Sequence, residues 1–392
     1  RNFRINPWYQ MINPKKFYNK LIEFGIDFFT GVPDSLLKDI CSYITDVTPK
    51  ERNIIAANEG GAIGLAMGYH MATLKIPLVY MQNSGFGNTI NPLLSLADPK
   101  VYGIPMLLLV GWRGEPNIKD EPQHVKQGEV SESLLKAMHI PYDIISSKTL
   151  DLKSVLQKAV NVMSEKNTPY VILVRKDTFE PYVLLSKRET NYDLNREAAI
   201  KKVIDLIDER DIVVATTGKT SREVFEYRKE RGDEHEKDFL TVGGMGHTNQ
   251  IALGIALAKP ERTIYCFDGD GAVIMHAGSM GIIGDLNPTN FKHIIFNNGA
   301  HDSVGGQPTI GFKINFNRIA TGFNYTQYFK IASLKEFNEV FTSFKNAEGP
   351  CMLEIAVNKG ARESLGRPTC TPIDNKIAFQ KFITSESDIN SK

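Results

Sequence analysis

The chain is poor in cysteine, lacks any long apolar run and carries no surplus of either charge. Only four of its 392 residues are cysteines, and Cys41, Cys266, Cys351 and Cys370 stand far apart with no CxxC pair and no histidine at zinc-finger spacing. Neither a metal cluster nor a disulfide framework is indicated, and reduced thiols of a cytoplasmic protein are the expectation. No apolar run approaches the roughly 20 residues that span a bilayer, and the opening RNFRINPWYQ lacks the apolar centre of a signal peptide. Because the chain starts on Arg rather than Met, its natural start is expected to lie elsewhere. Lys plus Arg number 46 against 45 Asp plus Glu, for a net charge of +1. That balance leaves no electrostatic footprint for nucleic acid or an anionic membrane, so a small molecule is the expected partner and any anion must be met by local charge.

What is present is 42% hydrophobic residues in a length sufficient for two domains. Short β-branched runs alternate with helix-like segments throughout, which is the pattern of an α/β protein. DFFTGV, NIIAAN, LVYMQN, MLLLVGW, YDIIS and YVILVR read as strands of one half; DIVVATTG, FLTVGG, TIYCFDG, HIIFNNG, YFKIAS and CMLEIAV read as strands of the other. The halves also echo each other, IIAANEGGAIGLAMGYHMA against LTVGGMGHTNQIALGIALA. Two tandem domains follow, each a six-stranded, mainly parallel sheet with helices on both faces. The first is expected over 1–186, a polar linker over 187–195, the second over 196–375, and a frayed polar tail over 376–392.

Ligands of open parallel sheets lie beyond the carboxyl ends of strands, which directs attention to the turns there. In FDGDGA, Asp270 offers a hard anionic oxygen; an asparagine of NNGAH offers an amide oxygen, and a carbonyl just beyond adds a third. That is much of a magnesium shell, whose remaining positions phosphate and water fill. Gly269, Gly271 and Ala272 open a helix whose free amides face the same phosphates, so a diphosphate bridged by Mg2+ is the natural occupant. A calcium loop would place its glycine at the sixth position, and Gly271 would be the fourth. TTGKTS is not a P-loop, since Val213 stands where its first glycine belongs. It ends a strand and opens a helix, so Thr220 and Ser221 are candidates for an anion or for a plain helix cap.

GDG, 25 further residues and then NN is similar to the thiamine diphosphate signature of decarboxylases and transketolases. That resemblance implies Mg2+ held by Asp270, Asn298 and the Ala300 carbonyl; Asn297 lies one residue closer to the usual interval, so the choice between the asparagines stays open. It also implies Glu59, in NEGGAIGLAMGYH, as the carboxyl at the cofactor's pyrimidine ring. Met245 would be the wedge between its two rings, and the Gly243 carbonyl the acceptor for its amino group. In this superfamily the pyrimidine-binding half of one subunit faces the diphosphate-binding half of another, so a homodimer or larger assembly is expected.

TGVPDSLLKD, QNSGFGNTINPLLSLAD, GWRGEPNIKDEPQHVKQG and NNGAHDSVGGQPT resemble the phosphonopyruvate decarboxylases within that superfamily, along nearly the whole chain, with the sulfopyruvate decarboxylases as near relatives. The reaction implied is loss of CO2 from 3-phosphonopyruvate to give phosphonoacetaldehyde, feeding 2-aminoethylphosphonate synthesis. Alternatives are sulfopyruvate or carboligase chemistry on the same scaffold and, from another class, a non-catalytic cofactor-binding subunit. Candidate substrate contacts are Asp34, Ser35, Asn83, Ser84, Arg113 and Gln123. His124 and His301 are candidates for proton transfer; Arg113, Lys126, Lys219 and Arg222 are options for anion capture.

Overall fold

The computed structural model describes residues 11–186 and 189–385. The described residues divide into two compact bodies, one of 11–186 with Val304–Gln307, the other of 189–303 with 308–385. The opening ten residues and the end of the tail, 386–392, lie outside the described residues, as do Lys187 and Arg188 of the expected linker.

The first body is one sheet of β1 (Phe29–Gly31), β2 (Asn53–Ile55), β3 (Leu78–Gln82), β4 (Leu107–Gly111), β5 (Tyr142–Ile145) and β6 (Tyr170–Val174), in the order β2-β1-β3-β4-β6-β5. Every pairing is parallel. β3, β4 and β6 read as unbroken apolar runs because both of their faces are covered. Leu78, Tyr80, Leu107 and Leu109 join one core with the helix Pro14–Glu23; Val79, Met81, Leu108 and Val110 join another with the helix Glu59–Thr73.

The second body repeats this plan with β7 (Ile212–Ala215), β8 (Asp238–Leu240), β9 (Ile264–Gly269), β10 (Phe291–Asn297), β11 (Gln327–Ile331) and β12 (Cys351–Ala356). Its order, β11-β12-β10-β9-β7-β8, is that of the first sheet read from the other edge. All its pairs are parallel too. The echo seen between the halves of the sequence is therefore an identity of topology.

Two boundaries differ from expectation. Leu194 is packed in the core of the second body, and Asn195 caps the helix Arg196–Leu206 by accepting from Ala198 N at 2.8 Å. The end of the expected linker thus belongs to that body. The segment assigned to a tail from 376 is helical through Ser385 within the helix Pro372–Ser385, because Phe379 is buried and Phe382 and Ile383 pack on the core. Its polar letters conceal an apolar face.

Candidate active site

In the first body the neighbouring strands β1 and β3 send their connections to opposite sides of the sheet, as β7 and β9 do in the second. Connections leave such a point in opposite directions and open a crevice at the carboxyl ends of the strands. GVPDS and QNSG stand at the first of these places, TTGKTS and DGDGA at the second.

In the second body Asp270 opens the helix Asp270–Met275 and is 2% exposed. No basic side chain pairs with it among the described residues; its one side-chain donor is the Thr309 hydroxyl, on Oδ2. Burial, with Asp302 adding to it, pushes its carboxyl up to about 6. A β-carbon placed on Gly311 would collide with Asp270 Oδ2 and lie 2.6 Å from Asn297 Oδ1. Both oxygens therefore face one small space that only glycine leaves open. Asn297 is fixed in that sense because its Nδ2 donates to Gly311 O (3.0 Å) and Glu354 Oε1 (2.8 Å). Asn298 donates to Asp302 Oδ2 (2.8 Å), and its Oδ1 accepts from Ala300 N (3.0 Å). Of the two asparagines, Asn297 is the one whose oxygen shares the space with Asp270. A buried, uncompensated carboxylate beside amide oxygens is a donor set that fits a hard divalent cation. Asp268, the other aspartate of FDGDG, has different employment: its Oδ2 is 3.1 Å from His293 Nε2, and His293 Nδ1 is 3.1 Å from the Tyr325 hydroxyl.

The other diphosphate-side candidates gather around the same helix. A β-carbon on Gly271 would lie 3.5 Å from Met245 Cε and 3.2 Å from His301 Cε1, and one on Gly246 would lie 3.1 Å from Ala272 O. The turn that carries Gly243 and Met245 thus packs on the turn that carries Gly269, Asp270 and Gly271. His301 is held down to about 4 by burial, which makes it a neutral imidazole near pH 7. Thr220 and Ser221 are buried in the first turn of the helix Lys219–Arg231. The Ser221 hydroxyl is committed to strand-end carbonyls, Thr216 O at 2.8 Å first among them, so it is not presented to an anion. That helix has no side-chain cap on Gly218, and its first amides are left to a ligand or water. Burial holds Lys219 and Arg222 below their ordinary values, and no anion pairs with either within 4 Å among the described residues.

In the first body Glu59 begins the helix Glu59–Thr73, capped by Asn58 through Gly61 N at 2.8 Å. It is 6% exposed; Oε2 accepts from Asn88 Nδ2 at 2.7 Å, and Oε1 has no donor among the described residues. Gly85 leaves no room for a β-carbon, which would lie 2.7 Å from Glu59 Cγ. A carboxyl group so placed has one oxygen for an N–H of a heterocycle, so the site fits the pyrimidine end of thiamine diphosphate as the second body fits its diphosphate.

The substrate candidates form one network at the ends of β1, β3 and β4. Asp34 is fully buried, accepting from Gln82 Nε2 (2.7 Å) and Leu36 N (2.9 Å). It has no surface to offer a ligand and acts on Gln82, whose Oε1 in turn accepts from the Ser84 hydroxyl (2.8 Å). Asn83 is also fully buried and grips the Arg113 backbone, donating to its O (2.8 Å) and accepting from its N (3.1 Å). The Arg113 side chain lies against Ser35 and Asp120. Burial and Arg113 hold His124 down to about 4, so it too is neutral near pH 7. Gln123 is half-buried one residue before it. Lys126 instead pairs with Glu129 on the surface. Sequence reasoning missed Asp120, Gln82 and Asn88. For Asp120 a signal existed: an acid seven residues after Arg113, in a stretch rich in turn formers.

Residues 15–135 match the model of the thiamine pyrophosphate enzyme N-terminal TPP binding domain, and 216–355 that of the C-terminal TPP binding domain. A phosphonopyruvate decarboxylase of Streptomyces viridochromogenes is 30% identical, the match covering 93% of each chain. The chain belongs to the thiamine pyrophosphate enzymes. With TPP binding domains and a whole-length decarboxylase relative, it is a decarboxylase, a carboxy-lyase with thiamine diphosphate as its cofactor. A phosphonopyruvate decarboxylase of Streptomyces hygroscopicus is 28% identical, over 95% of this chain and 94% of its own. A sulfopyruvate decarboxylase of Methanosarcina acetivorans is 26% identical, over 89% and 92%.

Proposed function

We propose that this thiamine pyrophosphate enzyme converts 3-phosphonopyruvate to phosphonoacetaldehyde and CO2, with Mg2+ as the bridge to the cofactor's diphosphate, in the cytoplasm and as a step toward 2-aminoethylphosphonate. The observation that carries the reading is the pairing of two buried carboxyl groups of different kinds. Among the described residues, Glu59 has an unfilled oxygen at a helix start and Asp270 has a buried charge with no cation. The substrate assignment draws support from whole-length similarity to phosphonopyruvate decarboxylases.

Bound thiamine diphosphate supplies the electron sink for the pair released when CO2 leaves. The chain's own part is to place cofactor and substrate and to move protons between them. Asp270, an amide oxygen of the Asn297–Asn298 pair and the Ala300 carbonyl would hold Mg2+, while amides at Gly269, Gly271 and Ala272, with the Thr220 turn, would receive phosphate oxygens. Glu59 would share a proton with the pyrimidine N1′, and Met245 and the Gly243 carbonyl would orient the rings. His124 and His301, both neutral at pH 7, would act as hydrogen-bonding partners to the substrate or as bases.

A second copy of the chain is the natural complement of what the surface leaves open. The helix Glu59–Thr73 exposes Leu65 and Met71 beside Gly61, Gly64 and Gly68; the helix Thr248–Ala258 exposes Ile251 and Leu257 beside Gly254; Ile282 and Leu286 are exposed on the helix Ser279–Leu286. Small residues between large apolar ones permit close helix approach, and we assign these faces to a homodimer or larger homo-oligomer that completes the site between subunits.

The deciding experiment supplies thiamine diphosphate and Mg2+ to the purified chain and measures CO2 and aldehyde from phosphonopyruvate, sulfopyruvate and pyruvate. Preferential turnover of phosphonopyruvate is expected. Preferential turnover of sulfopyruvate would move the chain to the neighbouring activity, and no decarboxylation at all would overturn the reading.

A further inference from the structure

Among the described residues of the first body, Arg113 is a thoroughly fixed cation. Its backbone N and O are both held by the buried Asn83 amide, at 3.1 and 2.8 Å. Its Nε donates to Asp120 Oδ2 at 2.7 Å, Nη2 donates to Asp120 Oδ1, and Nη1 donates to Ser35 Oγ at 2.7 Å. Asp120 is itself immobilised, since it also accepts from Gly114 N and Glu121 N, each at 2.8 Å. The two side chains are only 17% and 15% exposed. A guanidinium has five N–H donors; three are used here, which leaves one on each terminal nitrogen.

We infer that Asp120 is a positioning residue which sets this remaining pair of N–H groups as a fork for the phosphonate of the substrate. This rests on the phosphonopyruvate reading above. The chemistry distinguishes the phosphonate from the carboxylate, the other anionic group of the same molecule. The carboxylate departs as neutral CO2, so an arginine fixed on it would bind the ground state better than the transition state and would slow the reaction. The phosphonate keeps its charge throughout, and a fork fixed on it binds substrate and transition state alike. Such uniform binding lowers KM without altering kcat. Because Asp120 cancels the charge of Arg113, recognition here is by direction of the N–H groups rather than by net field, and the ordering cost has been met in the fold.

The test is steady-state kinetics of the holoenzyme on phosphonopyruvate for Asp120→Asn, Arg113→Met and the double variant, with the competitive inhibition constant of phosphonoacetate and the KM for pyruvate measured alongside. Asp120→Asn is expected to raise KM and the phosphonoacetate constant by about 10–100-fold with kcat within about 3-fold. It should leave the KM for pyruvate, which lacks a phosphonate, unchanged. In the Arg113→Met background the same substitution should change KM less than about 2-fold, since its effect passes through the arginine. Asp120→Glu, which keeps the charge, should recover part of the loss. Additive effects in the double variant, a fall in kcat with unchanged KM, or an equal rise in KM for pyruvate would each overturn the inference while leaving the decarboxylase reading intact. A wild-type chain inactive on phosphonopyruvate would overturn both.

Discussion

At the ends of β1, β3 and β4 the acidic groups of the first body have found their donors: Asp34 is matched by Gln82 and a backbone amide, and Asp120 by Arg113 and two backbone amides. At the ends of β7 and β9, in a sheet of the same strand order, Asp270 is as deeply buried and receives a threonine hydroxyl and the Asn298 backbone amide but no cation, while Lys219 and Arg222 stand half-buried without a paired anion among the described residues. One topology thus carries two electrostatic regimes. These strand ends of the first body are neutralised, suited to hold a substrate by direction; those of the second hold unbalanced charge of both signs, suited to receive a metal and a polyanion. Architecture fixes where a ligand can sit, and the side chains on those strand ends decide which one.

If the imbalance in the second body exists for metal and diphosphate, removing its carboxylate should have the largest effect of any single change. Asp270→Ala is expected to raise the thiamine diphosphate dissociation constant in Mg2+ by more than about 100-fold, with turnover falling to background. Calorimetric titration checks this, and retained affinity would place the cation elsewhere. The matching change in the first body should separate binding from chemistry. Glu59→Gln is expected to keep the cofactor bound within about 10-fold, yet to lower kcat by about 10²–10⁴-fold, measured by titration and CO2 release on one sample.

A stability measurement sharpens the contrast. Because the Asp270 carboxyl is raised from 3.8 to about 6 on folding, the cofactor-free folded chain binds the proton more tightly than the unfolded one. That stabilising contribution is complete below about 3.8 and is lost as pH rises through about 6. At pH 7.5 ionised Asp270 accordingly costs about 3 kcal/mol. Asp270→Asn should therefore make the metal-free protein more stable at pH 7.5 by an amount of this order, and should abolish the further stabilisation that Mg2+ with thiamine diphosphate gives the parent. A variant less stable than the parent at pH 7.5 without ligands would show that the buried charge is already compensated.

How much of this was legible in the letters follows from the range over which each interaction acts. The central strands are visible because burial on both faces demands runs of apolar and β-branched residues, a local signal, and the partly exposed edge strands β2, β5 and β11 still carry short β-branched or aromatic runs. Asp270 is visible because it sits where an apolar run breaks at a carboxylate, whereas Glu59, an ordinary first-turn helix acid by itself, is visible only through the family resemblance. The Asp34–Gln82 bond is not, since its partners are 48 residues apart and meet only because β1 and β3 are neighbours. Ser221 shows the limit of reading residue type: a hydroxyl in the right turn is spent on the carbonyls of its own strand end. The helix that runs to Ser385 was hidden because only a few of its residues face the core.

The smallest effect is expected at Lys126, which tests whether anion capture depends on geometry or merely on the presence of positive charge nearby. Lys126 lies on the same helix as Gln123 and His124, but its ammonium pairs with Glu129 with side chains 75% and 58% exposed. An exposed pair of this kind contributes about 0–0.5 kcal/mol and is screened by salt. Lys126→Ala should leave the melting temperature within about 1 °C and the KM for phosphonopyruvate within about 2-fold at 0.15 M salt, in contrast to the variants of the clamped Arg113. A rise of about 10-fold in KM, diminishing as salt is added, would mean that a diffuse field draws in the substrate, and the ordered guanidinium would lose its claim to be the receptor.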